Sequence, residues 1–96
     1  MGKEDRKRLY TNIKVRDGYH CQMCGGREVI TIHHIIPRSW GGRDEVDNLV
    51  VLCWECHQNT HRAYTSGLCG PGTFWEYLRA MRSTYDYREE QDHGAA

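Results

Sequence analysis

The chain has 96 residues, 39% of them hydrophobic, with 13 basic and 13 acidic side chains that leave no net charge. A chain this short buries a modest core, which metals or disulfides commonly supplement, and one Phe beside three Trp and six Tyr fits that picture. Zero net charge excludes the overall basicity that announces many nucleic-acid binders. The absence of a long apolar run excludes a membrane span or signal core, so a cytoplasmic protein with no membrane partner is expected.

Residues 4–16 predict a helix with Leu9 and Ile13, joined by Tyr10, on one face, ended by Asp17-Gly18. Residues 1–16 carry Lys3, Arg6, Lys7, Arg8, Lys14 and Arg16 against only Glu4 and Asp5, a basic face that suits phosphate as well as solvent. Tyr19–Gly26 reads as a knuckle: a CxxC pair followed by glycines that let the backbone turn and aim amides at thiolates. Glu28–Ile32 is rich in β-branched residues and predicts a strand running into His33-His34, ended by Ile35-Ile36-Pro37. Arg38–Asn48 is a polar loop in which Trp40 is expected to cover the loop and Asp44, Glu45 and Asp47 to cap or solvate it.

Leu49–Leu52 predicts a short strand, and Trp54 to about Ala63 a helix. After a Gly/Pro linker at 66–72, Thr73-x-x-Glu76 reads as a capping box. It opens a helix over about 73–85 whose Phe74, Tyr77, Leu78 and Met81 form an apolar stripe expected in the core. Residues 88–96 are expected to fray. Residues 1–96 thus form one expected domain, with a motif core at 19–63.

Two CxxC pairs, Cys21/Cys24 and Cys53/Cys56, match a four-cysteine zinc site, because thiolates suit zinc and one tight turn supplies two corners of a tetrahedron. In a reducing compartment such pairs are metal ligands sooner than disulfides. Cys53–His57 also spells CxxCH, the haem-attachment pattern, but haem would leave Cys21 and Cys24 without a role. Cys69 is expected to be a free thiol. Residues 25–52, between the pairs, hold a histidine doublet and Asn48, and His57 and His61 follow four apart on a predicted helix. That spacing brings their Cβ atoms to about 5–6 Å, a chelating geometry. Neighbouring strand residues point to opposite sides, so one member of the doublet can bind metal while the other does something else.

Taken together, Cys21 to His61 resembles the HNH endonuclease motif of the ββα-metal nucleases, in its cysteine-containing branch. The resemblance implies a small zinc-stapled α+β fold: two strands, a loop and a helix around one divalent ion, flanked here by an N-terminal and a C-terminal helix. It assigns His33, His57 and His61 to the catalytic ion, His34 to the general base, and Asn48 to orienting that base through its side-chain carbonyl. Cys21, Cys24, Cys53 and Cys56 would hold the structural zinc. His33 departs from the Asp that many members carry, and three imidazoles suit Mn, Ni or Zn better than Mg. Arg38, Arg43 and Arg62 are nearby candidates for phosphate, each competing with an ordinary surface role.

The expected activity is therefore metal-dependent nicking or double-strand cleavage of DNA with weak sequence specificity, leaving a 5′-phosphate. The alternative is a non-catalytic zinc-ribbon DNA-binding module with incidental histidines. A homodimer and a place in larger phage or restriction machinery are both compatible with the sequence.

Overall fold

A computed structural model describes residues 2–85, so the expected frayed tail lies outside the described residues. The elements are α1 (Lys3–Arg16), β1 (Ile30–His34), β2 (Leu49–Cys53), α2 (Trp54–Ser66) and α3 (Phe74–Tyr85), with short 3-10 turns at Arg38–Trp40, Val46–Asn48 and Pro71–Thr73. This is the small α+β arrangement expected from the sequence, with a two-stranded antiparallel sheet and a four-cysteine cluster of the zinc-binding ββα kind.

The register pairs Thr31 with Leu52, Ile32 with Val51, His33 with Val50 and His34 with Leu49. Because side chains alternate across a strand, Thr31 and His33 share one sheet face with Val50 and Leu52, and Ile32 and His34 share the other with Leu49 and Val51. β2 is buried on both faces, which is why Leu49–Leu52 reads as an unbroken apolar run. On one side Val50 and Leu52 pack with Met23, Ile35, Phe74 and Leu78. On the other, Leu49 and Val51 pack with Ile13 of α1, flanked by Leu9 and Tyr10. The α3 stripe is accordingly core: Phe74 and Leu78 are buried, with Tyr77 and Met81 against them.

α1 carries Glu4 and Asp5 in its first turn and Lys14 and Arg16 in its last, favourable for the helix dipole. Its end is clamped to β2: Arg16 donates to the carbonyls of Val46 and Leu49, both at 2.6 Å, and Asp17 accepts from the Val51 amide at 2.9 Å.

Two expectations are corrected. β1 starts at Ile30 rather than Glu28, because Val29 sits at φ +47 and turns the chain out of the ladder. Thr73 does not open α3 in a box with Glu76; its hydroxyl accepts from the Gly70 amide at 3.0 Å and closes the preceding 3-10 turn. Among the described residues, no helix is long and apolar enough to cross a membrane.

Candidate metal centres and active site

The first centre is made where the 21–26 knuckle meets the end of β2 and the start of α2. The ligand atoms of Cys21, Cys24, Cys53 and Cys56 all lie within 4.8 Å of one another. Cys24 Sγ and Cys53 Sγ are 3.8 Å apart, and four thiolates about 2.3 Å from a zinc ion would form a tetrahedron with edges of about 3.8 Å. None is disulfide-bonded. Amides point at the sulfurs, as the glycine pattern predicts: Met23 and Cys24 at Cys21, Gly26 at Cys24, and Cys56 at Cys53, each at 3.4 Å. Gly25 takes φ +79 to make this turn. Cys53 also caps α2 with its sulfur, so the same atom ends the strand and starts the helix.

Four thiolates this close oppose one another's charge: a hydrogen bond from Cys56 draws the Cys21 thiol down, while burial pushes Cys24 up. A bound cation removes that conflict by taking the place of the protons. The donor set fits zinc.

The second centre joins β1 to α2. His33, His57 and His61 offer ligand atoms within 4.8 Å of one another, and their ring centroids are 4.9–6.2 Å apart. Burial is graded: His33 is 2% exposed, His57 half-buried and His61 exposed. The inner side is thus closed by Phe74 and Tyr64, whose rings lie 5.0 and 5.7 Å from His33, and the outer side is open to solvent. Burial, helped by the neighbouring imidazoles, lowers His33 to about 3 and His57 to about 4, so both are neutral near pH 7, as metal binding requires.

Thr31 sets the His57 ring. Its hydroxyl donates to the Leu52 carbonyl at 2.7 Å, and its oxygen lies 2.8 Å from His57 Nδ1. With the hydroxyl proton already used, Nδ1 must be the donor, which leaves Nε2 with its lone pair free for an ion.

His34 lies on the opposite sheet face, beside α1. Its Nε2 is 2.8 Å from Asp44 Oδ1 and its ring meets Tyr10 edge-on at 6.3 Å. Asp44 also accepts from Tyr10 Oη at 2.8 Å, Arg6 at 3.3 Å and Arg38 at 3.1 Å. Burial raises the Asp44 carboxyl, but hydrogen bonds from His34 and Tyr10 and the charge of Arg38 outweigh it and hold the group at about 2. Asp44 therefore does more than solvate its loop; it is the hub of this face.

No hydrogen bond joins the Asn48 side chain to His34. Its Oδ1 accepts from the Ile36 amide at 2.8 Å, and its Nδ2 donates to the carbonyls of Ile36 and Arg43 at 3.1 and 2.9 Å. These bonds tie the loop to the end of β1. Arg38 and Arg43 line a concavity of about 580 Å³ with Arg6, Asp44 and Glu45, on the His34 side. Arg62 is on exposed α2 surface, donating to Asn59 at 3.2 Å. Trp40, 60% exposed, stacks on Tyr64 with a centroid separation of 6.2 Å.

Residues 21–63 match the model of the HNH endonuclease family. Among curated proteins, the chain is 40% identical over 50 residues to a type IV methyl-directed restriction enzyme of Escherichia coli, covering 43% of this chain and 18% of the enzyme. It is 57% identical over 54 residues to a probable mobile endonuclease C of Enterobacteria phage T4, covering 56% of this chain and 26% of that protein. It is 29% identical over 59 residues to anaredoxin of Nostoc sp., covering 60% of this chain and 78% of anaredoxin. The chain thus spans about a quarter or less of the first two relatives. No solved structure matches it.

Proposed function

We propose that this chain, whose residues 21–63 match the model of the HNH endonuclease family, is a metal-dependent endonuclease that hydrolyses DNA phosphodiesters with His34 as general base. The observation that carries the reading is the division of the histidine doublet. His33 turns into a three-imidazole cluster on one sheet face, and His34 turns to the other, beside Arg38 and Asp44 and outside that ligand set.

In this reading Cys21, Cys24, Cys53 and Cys56 hold a structural zinc, and His33, His57 and His61 hold the working ion. When bound, that ion supplies Lewis acidity toward the phosphate oxygens and the leaving oxygen. His34 takes the proton of the attacking water, since an imidazole titrates near the operating pH. Asn48 holds the 36–43 loop against β1 and so fixes the site's wall. Arg38 and Arg43 face the phosphate from the concavity beside His34, and Arg62 reaches it from α2. Three imidazole ligands favour Mn, Ni or Zn over Mg. In-line attack would leave a 5′-phosphate. DNA is the proposed substrate because two of the relatives are named as a restriction enzyme and an endonuclease.

A non-catalytic zinc-ribbon module would need only the four cysteines; it has no use for three converging imidazoles. The test is nicking of supercoiled plasmid by zinc-loaded protein stripped of its second ion, with Mn, Ni, Zn or Mg added back. Nicking restored by an added ion, and lost in His57→Ala together with binding of that ion, is expected. Zinc-loaded protein that binds plasmid but cuts it under none of the four ions would favour the binding module.

A further inference from the structure

A general base needs one ring nitrogen free and the other held, and the group assigned to holding it, Asn48, hydrogen-bonds the backbone of Ile36 and Arg43 and not His34. The group that does meet the ring is Asp44, 2.8 Å from His34 Nε2. Four donors converge on this carboxylate: Tyr10, Arg6, Arg38 and His34 itself. A carboxylate so surrounded carries no proton, so the hydrogen in the short contact sits on His34 Nε2. Nδ1 is then the nitrogen with the lone pair. Arg38 Nε also aims its hydrogen at Nε2, but at 3.3 Å against 2.8 Å for Asp44, while Arg38 Nη2 donates to both oxygens of Asp44.

Tyr10 and Arg6 stand four residues apart on α1, so one face of that helix presents both donors to Asp44. α1 lies outside the matched residues 21–63. Its packing through Ile13 against Leu49 and Val51 is therefore also what delivers two of the donors that hold the carboxylate.

We infer that Asp44 is a positioning residue that fixes His34 with its hydrogen on Nε2 and Nδ1 as the proton-accepting nitrogen, and that α1 secures Asp44 through Tyr10 and Arg6. The inference rests on the reading of His34 as general base for its catalytic consequence, but not for the orientation itself. It also explains why three acids in one polar loop differ: only Asp44 is turned inward to meet α1 and β1, whereas Glu45 and Asp47 are exposed.

The test uses the full zinc-loaded chain with ¹⁵N-labelled histidine. Long-range ¹H–¹⁵N correlations should show His34 as the Nε2–H form, with a slowly exchanging low-field proton. Asp44→Ala should lose that proton and shift the ring toward the Nδ1–H form, because Arg38 Nε is then left aimed at Nε2. Its plasmid turnover should fall on the order of 10²–10⁴-fold, the range a positioned base contributes, with little change in KM. Tyr10→Phe, which removes one donor and no charge, should move both readouts the same way by less.

A wild-type His34 carrying its hydrogen on Nδ1, or an Asp44→Ala ring unchanged from wild type, would overturn the assignment whatever the nicking assay gives. The expected ring state with full turnover in both Asp44→Ala and His34→Ala would instead overturn the base reading, and with it the catalytic part of the inference.

Discussion

Thr31 and His57 show how little of a candidate metal site lies in its proposed ligands alone. Thr31→Val keeps the branched shape of a strand residue but removes the oxygen that holds Nδ1–H at 2.8 Å. Ion affinity at the histidine centre should fall about 10–100-fold with the zinc centre unaffected; titration of Mn or Ni followed by calorimetry reads this, and unchanged affinity would mean that Thr31 does not set the ring. The same titration tests protonation. A base whose pKa is depressed stays neutral above that value, and His33 and His57 are lowered to about 3 and 4 by burial and then by their neighbours. Neither has a proton to surrender at pH 7, so ion binding should release fewer than one proton per ion across buffers of different ionisation enthalpy. Release of two or more would contradict neutral ligands. The convergence of His33, His57 and His61 was legible in the sequence, because i,i+4 spacing on a helix and alternation on a strand bring side chains together by local geometry. Thr31 and Asp44 were not. Their partners depend on strand register and on how a loop folds back, and nothing in the chemistry of Asp44, Glu45 and Asp47 tells which one turns inward.

At the scale of elements, the hairpin and the helix after it do the positioning. β1 delivers two adjacent histidines to two faces, and the loop between the strands must return close to the end of β1 for Asp44 to reach His34. Gly42 makes that return possible. Its amide donates to the Pro37 carbonyl at 2.9 Å, and a Cβ there would sit 1.7 Å from the Ile36 carbonyl oxygen. Gly42→Ala should therefore lower stability by about 1–3 kcal/mol, with His34 displaced from Asp44; a denaturant melt indistinguishable from wild type would show that the loop relaxes freely. Element types were well marked by periodicity: the apolar run of β2, the Leu9/Ile13 face of α1 and the Phe74/Leu78 stripe of α3 are all buried or packed as their spacing implies. Boundaries were less visible. The start of β1 is set by the backbone of Val29, a β-branched residue that sequence preference places in the strand, and the true partner of Thr73 is a glycine amide upstream that no side-chain pattern reveals.

For the molecule as a whole, the four-cysteine centre is the point where knuckle, sheet and α2 are tied, and Cys21, Cys53 and Cys56 are part of the core beside Val50, Leu52 and Phe74. Structural zinc contributes on the order of 10 kcal/mol in domains of this kind, more than a small core leaves as net stability. Cys53→Ala should lose the cooperative melt seen by circular dichroism; a native-like transition without zinc would refute a structural role. In the proposed reading the two centres are separable, one for folding and one for chemistry, and the doublet His33-His34 divides binding an ion from moving a proton. The decisive comparison is wild type against His34→Ala, both loaded with zinc and Mn, measured for metal content and for nicking of supercoiled plasmid. Wild type should nick, and the variant should retain both metals yet fail to nick. A variant that nicks at the wild-type rate with both metals bound would contradict His34 as the base.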